Sequence, residues 1–392
     1  MTSAAAGAVS VALPRADGSL EAYRLAEPRS WQRPERPFTS RIAYAAAHVV
    51  ADPLADNAPG APARLDWEAT LAYRRHLWSY GLGVADAMDT AQRGMGLTWD
   101  TAAELIRRSA GEATAQGGLL ACGVGTDQLP WPAPAEVSLD TVIGAYEEQL
   151  AVVEGAGAHP ILMASRHLAA TARGVEDYAK VYARLLGQTT TPAILHWLGP
   201  MFDPALEGYW GAVDVDEATD AFVAIVREHA ARIDGVKVSL LDENHEVRLR
   251  SALPGGVHLY TGDDFNYPAL IRSGSDALLG IFDAIAPAAA TALAALDRGD
   301  AEAYDEAFAG TVPLSRHLFS APTYYYKTGI CFLAWLSGHQ RGFSMVGGMQ
   351  SARSVLHLVK AFRLADQAGL LPDPDLACVR MREFLTVHGA GS

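Results

Sequence analysis

Cysteine is scarce: three residues, Cys122, Cys331 and Cys378, in a chain of 392. They are odd in number and widely separated, which excludes a disulfide framework or a cysteine-built zinc site and points to a reduced, cytoplasmic protein. Long apolar runs are missing too. Stretches such as "IFDAIAPAAATALAALD" and "GICFLAWLSG" are short or interrupted, so no transmembrane helix is expected. Positive charge is in deficit, with 31 Lys and Arg against 45 Asp and Glu and a net charge of −14. Nucleic acid and anionic membranes are therefore poor partners. The N-terminal "MTSAAAGAVSVALPRADG" has no basic residue ahead of its modest apolar run, so no secretory signal is expected. No strand pattern runs directly into G-x-G-x-x-G and a helix, which ranks a dinucleotide-type open sheet second. A small-molecule enzyme is the class left standing.

What is present begins with a hydrophobic share of 50% against 19% charged residues, enough for a large buried core. Residues 8 to 25 alternate apolar and polar positions around Ala-Asp-Gly, which predicts a β-hairpin. From about residue 40, short β-rich runs alternate with longer amphipathic ones. Strands are expected at 41 to 50, 83 to 89, 118 to 125, 159 to 165, 192 to 198, 234 to 240, 257 to 262 and 275 to 281. The segments between them carry apolar residues at helical spacing, and several open on Asp, Ser or Thr and close near Gly. About eight such units is the count of a (β/α)8 TIM barrel. After residue 281 the β signal stops. The chain thus divides into a hairpin and connector (1–39), a barrel (40–300) and a C-terminal helical region (301–392).

Chemistry in a barrel sits at the C-terminal ends of its strands. Lys237, in "DGVKVSLLD", shares one strand face with Ser239 and Leu241, while Val236, Val238 and Leu240 share the other. Neither face offers an amine easy hydration. Desolvation lowers an amine's pKa, and a lysine so perturbed can attack a carbonyl to form a Schiff base; the competing account is a lysine that snorkels to the rim or pairs with Asp242.

The ordered segments "LDWEATLAYRRHLWSYGLGVADAMDTAQRGMGLTWDTAAELIRRS", "GLLACGVG", "PAILHWLGP", "DGVKVSLLD" and "HLYTGDD" resemble the dihydrodipicolinate synthase / N-acetylneuraminate lyase superfamily, over residues 40 to 338. That resemblance implies a (β/α)8 barrel and a Schiff-base lysine at the end of the sixth strand, which falls on Lys237. It also implies a small 2-oxo acid substrate, no cofactor, and a homo-oligomer, dimer or tetramer. Two family features are replaced. The paired threonines after the second strand give way to "DTAQRGMGLTW", where Gly94 and Gly96 offer close backbone approach to an anion or simply a tight turn. The family's proton-relaying tyrosine on the fifth strand gives way to His196, an acid–base group near neutral pH or a core histidine bonded to a backbone carbonyl.

Three further features fall at the expected mouth. Arg166 suits a carboxylate or phosphate, and His167 follows it. Asp89 could bind a hydroxyl, orient a base or cap a helix, and Asp263 with Asp264 reads first as a turn and second as a substrate contact. An alternative function uses Asp89, His167, His196 and Asp263 as a divalent-metal shell for a sugar isomerase, epimerase or hydro-lyase, although no H-x-x-x-H or H-x-H spacing supports it. A non-catalytic ligand-binding barrel is the third reading. "SAPTYYYKTGICF", with three consecutive tyrosines and Lys327, is expected to be a helix start packed on the barrel or on another subunit.

Overall fold

Residues 9–391 are described by the computed structural model of the chain. The N-terminal alternation forms an antiparallel hairpin of β1 (Ser10–Pro14) and β2 (Leu20–Arg24). Residue 8 of the expected hairpin lies outside the described residues, as does the start of the stretch read for a secretory signal. The eight expected strands are all present: β3 (Ala43–Ala46), β4 (Gly83–Asp86), β5 (Leu120–Val124), β6 (His159–Leu162), β7 (Ala193–Leu198), β8 (Ile233–Ser239), β9 (His258–Thr261) and β10 (Asp276–Leu279). They pair in parallel in chain order, and β10 closes on β3 to complete the barrel.

Around it run α1 (Trp67–Ser79), α2 (Trp99–Gln116), α3 (Leu139–Gly155), α4 (Arg166–Thr171), α5 (Val175–Leu186), α6 (Val215–Glu228), α7 (Glu243–Ala252), α8 (Tyr267–Ser273) and α9 (Ile281–Asp297). Polar residues at their starts act as caps. Asp66 accepts from the Ala69 amide, Asp242 from the His245 amide, and Ser138 with Thr141 forms a capping box. After the barrel come α10 (Ala301–Ala309), α11 (Thr311–Leu318), α12 (Tyr326–Leu336), α13 (Val355–Gln367) and α14 (Pro374–Val387). Asp366 on α13 accepts from the Tyr23 hydroxyl at 2.7 Å and from the Ala26 amide at 3.2 Å, which ties the N-terminal hairpin to the C-terminal helices. Among the described residues no helix is long and apolar enough to cross a membrane.

Several strands are shorter than expected. The first, expected over 41 to 50, holds sheet pairing only at Ala43–Ala46. Beyond it the His48 amide donates to Asp283 Oδ2 at 2.9 Å instead of to a neighbouring strand, which takes the chain out of the sheet. The Arg-His pair after β6 opens the six-residue α4, capped by the Ser165 side chain.

Period-two alternation sorts the strand residues between two cores. Tyr44, Ala46, Ala85, Ala121, Ile161, Ile194, Tyr260 and Leu278 fill the barrel, whereas Val84, Cys122, Leu195, Val236 and Val238 face the helices. His196, Lys237 and Tyr260 are register partners on adjacent strands, so Lys237 and His196 share the interior face with Tyr260.

A buried ion pair fixes the upper edge of β4. Arg74 on α1 donates to Asp86 through Nη2 at 2.8 Å and Nε at 3.1 Å, with both side chains fully buried. Arg74 Nη1 also donates to the Thr70 carbonyl at 3.0 Å, and the Ala87 amide donates to Asp86 Oδ1 at 2.9 Å. Removing one partner strands the other charge in the core. Arg74→Met is expected to lower unfolding free energy by about 3–5 kcal/mol, read as a shift in denaturant midpoint at unchanged slope.

Candidate active site

An amine inside the barrel is the first element of the site. Lys237 rises from β8 with only 5% of its surface exposed. Burial pulls its pKa below the ordinary lysine value, and the carboxylates of Asp89 and Asp264 oppose that pull. Space for the lysine comes from Gly262, just past β9. A Cβ there would stand 2.2 Å from Ser239 Oγ and 3.1 Å from Lys237 Cε. Asp264, two residues further on, is buried, with Oδ1 accepting from the Ile281 amide at 2.8 Å at the start of α9. Burial pushes the Asp264 carboxyl up, and the Ile281 amide and the charge of Lys237 pull it back.

His196 stands on the neighbouring strand. Its Nε2 lies 3.2 Å from Ser239 Oγ, and its buried Nδ1 has no partner, so it is not a core histidine satisfied by a carbonyl. Burial first, and the charge of Lys237 second, drive its pKa well below the usual histidine value. It is a neutral imidazole with one nitrogen free.

The loop after β4 brings a carboxylate over this pair. Ala87 takes a positive φ of 50°, and the chain then turns through a short 3-10 helix at Asp89–Ala91. Asp89 is held there by α12. The Tyr326 hydroxyl donates to Asp89 Oδ2 at 2.9 Å and is itself hydrogen-bonded to Thr90, while Lys327 Nζ donates to the Asp89 carbonyl. Burial lowers the Lys327 pKa to about 8. The helix start in "SAPTYYYKTGICF" therefore does pack on the barrel, and it reaches the mouth, a role its sequence did not indicate.

A cavity of about 350 Å³ opens above, lined by Asp89, Gly94, Trp131, Arg166, His196 and Leu198 among others. Lys237 does not itself line it; it sits beneath, in register with His196 and beside Asp89. Arg166 reaches the cavity with Nε on Asp203 Oδ2 at 2.5 Å, and its Nη1 lies 3.5 Å from where a Cβ on Gly94 would be. Gly94, with φ of 70°, thus leaves the guanidinium room. Gly96 lies elsewhere: a Cβ on it would meet the Gly347 amide nitrogen at 3.0 Å, so its role is close packing against the C-terminal region.

Two expected site residues are occupied by structural work. His167 accepts or donates at Nδ1 with Thr126 Oγ1 at 2.9 Å and donates from Nε2 to the Pro130 carbonyl at 3.0 Å, which leaves no ring nitrogen for substrate. Asp263 accepts from the Phe265 amide at 2.8 Å and from the Asn266 amide at 3.0 Å, closing its own turn. The shell of Asp89, His167, His196 and Asp263 does not gather. Among the described residues no group of three or more His, Cys, Asp or Glu could hold a metal ion.

Gly262, Ser239, Tyr326 and Lys327 were not singled out for the site from sequence. Ser239 was findable from its shared strand face with Lys237, and Gly262 from its place in the "TGDD" run at a strand end. For Tyr326 and Lys327 no local pattern pointed across 237 residues to Asp89.

Comparison with solved structures gives the same architecture. Dihydrodipicolinate synthase from Aquifex aeolicus superposes with a TM-score of 0.65 at 12% identity, covering 84% of this chain and 99% of that one. YagE, a prophage protein of the dihydrodipicolinic acid synthase family from E. coli K12 solved with pyruvate, gives 0.66 at 13% identity over 84% and 99%. The 4-hydroxy-tetrahydrodipicolinate synthase of Methylacidiphilum fumariolicum SolV gives 0.61 at 14% identity over 90% and 99%. At such identities the likeness establishes the fold alone, and it agrees with the resemblance carried by the sequence motifs. No curated protein sequence matches the chain. One family model spans residues 11–390, nearly the whole chain including hairpin, barrel and C-terminal helices, and by that match the chain belongs to the family described as Protein of unknown function (DUF993).

Proposed function

We propose that the protein is a class I, Schiff-base lyase or aldolase acting on a 2-oxo acid or keto-sugar derivative, with Lys237 as the imine-forming residue. The observation that carries this reading is the desolvated amine of Lys237 beneath the mouth cavity, with the neutral imidazole of His196 one strand away. A lysine whose ammonium is disfavoured by burial holds more of its population as free amine at neutral pH, and only the free amine attacks a carbonyl.

Attack of Nζ on C2 of the oxo acid expels the carbonyl oxygen as water and leaves a protonated imine. That cation accepts electrons from the bond to be broken. In aldol cleavage, a base removes the proton of the hydroxyl on the departing carbon, the carbon–carbon bond breaks, and its electron pair moves to the imine nitrogen. An aldehyde departs and an enamine remains. Return of the proton to the enamine carbon and hydrolysis then release the keto acid and the free lysine. His196 suits the proton transfers because burial keeps it neutral and Nδ1 is free. Arg166, with the turn at Gly94, suits the binding of an anionic group.

Borohydride reduction in the presence of pyruvate is expected to fix one keto-acid adduct on the Lys237 peptide, and Lys237→Ala is expected to abolish it. An adduct mapped to Lys327, the other buried amine at the mouth, would move the chemistry off β8; no adduct across a panel of 2-oxo acids would remove the proposal. His196→Ala is expected to slow turnover by about 10²-fold or more while leaving trapping on Lys237 intact.

The pH dependence follows from the direction of the lysine shift. Trapping rises with pH as the ammonium loses its proton, with a midpoint below the ordinary lysine value of 10.5. Asp89 favours the ammonium, so Asp89→Asn is expected to move that midpoint downward. A midpoint unmoved or raised in this variant would show that Asp89 does not act on the amine.

A further inference from the structure

The wall of the mouth cavity contains many polar side chains, yet nearly all are consumed by one another. Thr126 Oγ1 is 2.6 Å from Ser165 Oγ and 2.9 Å from His167 Nδ1. Ser165 Oγ also accepts from the Leu168 amide at 3.1 Å, and His167 Nε2 donates to the Pro130 carbonyl at 3.0 Å. Asp127 accepts from Arg93 Nε at 3.1 Å and from Gln149 Nε2 at 2.9 Å, and Arg93 Nη1 donates to the Gly123 carbonyl at 2.7 Å. Asp203 accepts from Arg166 and from the Ala205 amide.

Away from His196 Nδ1, the Asp89 carboxylate and the Arg166 guanidinium, most of what the wall leaves open is apolar. Leu129, Trp131, Met163, Ala164 and Leu198 line the cavity, and Trp131 keeps 43% of its surface exposed. The Trp131 ring is fixed by its neighbours: the imidazole of His167 meets it edge-on at 5.5 Å, and the Arg166 guanidinium lies 5.8 Å from its centroid. The free edge of that guanidinium is a cationic group the wall offers.

From this pattern we infer that the substrate's departing portion is an apolar, preferably aromatic, body that packs on Trp131 and Leu198, and not a polyhydroxylated sugar chain. A sugar chain brings several hydroxyls that each need a donor or acceptor, and a wall whose polar groups are mostly paired already answers few of them. A planar apolar body loses nothing there and gains contact with an exposed indole. The substrate class is then the aldol of a small 2-oxo acid with an aromatic aldehyde. The assignment rests on the imine reading for the reacting end of the molecule and on the cavity wall for the rest.

The test separates the two. Binding of phenylbutanoate and of gluconate, both unable to form an imine, is measured by calorimetry on the wild-type protein and on Lys237→Ala. Phenylbutanoate is expected to bind at least about tenfold more tightly in both proteins. Trp131→Ala is expected to lose about tenfold of that affinity and Trp131→Phe to recover most of it, with unchanged circular dichroism. In turnover, the aldol of pyruvate with benzaldehyde is expected to be cleaved with a kcat/KM at least about tenfold above that of the aldol with glyceraldehyde. Equal or tighter binding of gluconate, or indifference of phenylbutanoate to Trp131→Ala, overturns the inference. An absent borohydride adduct beside a retained phenylbutanoate preference strikes the imine reading and leaves the wall assignment standing; an adduct beside a preference for gluconate does the reverse.

Discussion

An amine cannot be placed inside a barrel without an answer to its charge. An ammonium buried alone is so costly that it either loses its proton or acquires carboxylates, and Lys237 does some of both. Burial favours the free amine, and Asp89 with Asp264 sets the limit. Each carboxylate is in turn held by something else: Asp264 by the amide at the start of α9, Asp89 by Tyr326 and Lys327 on α12. The charge state of one lysine thus depends on elements that follow the barrel's last strand.

This dependence gives the C-terminal region a reason to be attached. The barrel closes without it, since β10 already pairs with β3. In the loop after β4 the Asp89 carbonyl and carboxylate both find partners on α12. Gln92 is tied to the same region through a bond from Nε2 to the Val346 carbonyl at 2.8 Å, and Gly96 packs on Gly347. At this loop a helix from the far end of the chain supplies a hydroxyl and an amine.

The barrel was legible because its determinants are local. Strand length, period and helix caps recur along the chain, and each can be seen within a dozen residues. Lys237 was legible for a related reason: a lysine inside a β-branched run contradicts its own surroundings. The site's supporting residues were not legible in the same way. Nothing near His167 reveals that the Pro130 carbonyl takes its Nε2, and nothing in three consecutive tyrosines reveals that the third meets Asp89. Such facts belong to tertiary contact, where the hydrogen-bond partner and not the residue type decides whether a side chain is free to act. Gly96 makes the same point from the other side, since a glycine in a loop serves equally to admit an anion or a neighbouring backbone.

The imidazole of His196 shows how one constraint serves two groups. Exposed to water, a histidine and a lysine side by side would both carry charge over part of the working pH range and repel each other. In the barrel, desolvation pushes both toward the neutral form, and the proximity of Lys237 pushes His196 further that way. The imidazole then keeps an unprotonated nitrogen at the pH where the amine begins to be free. A phenol in the same place would be driven by burial toward its protonated form, able to donate and slow to accept. An imidazole there presents an unprotonated nitrogen instead, beside an amine that burial also discharges.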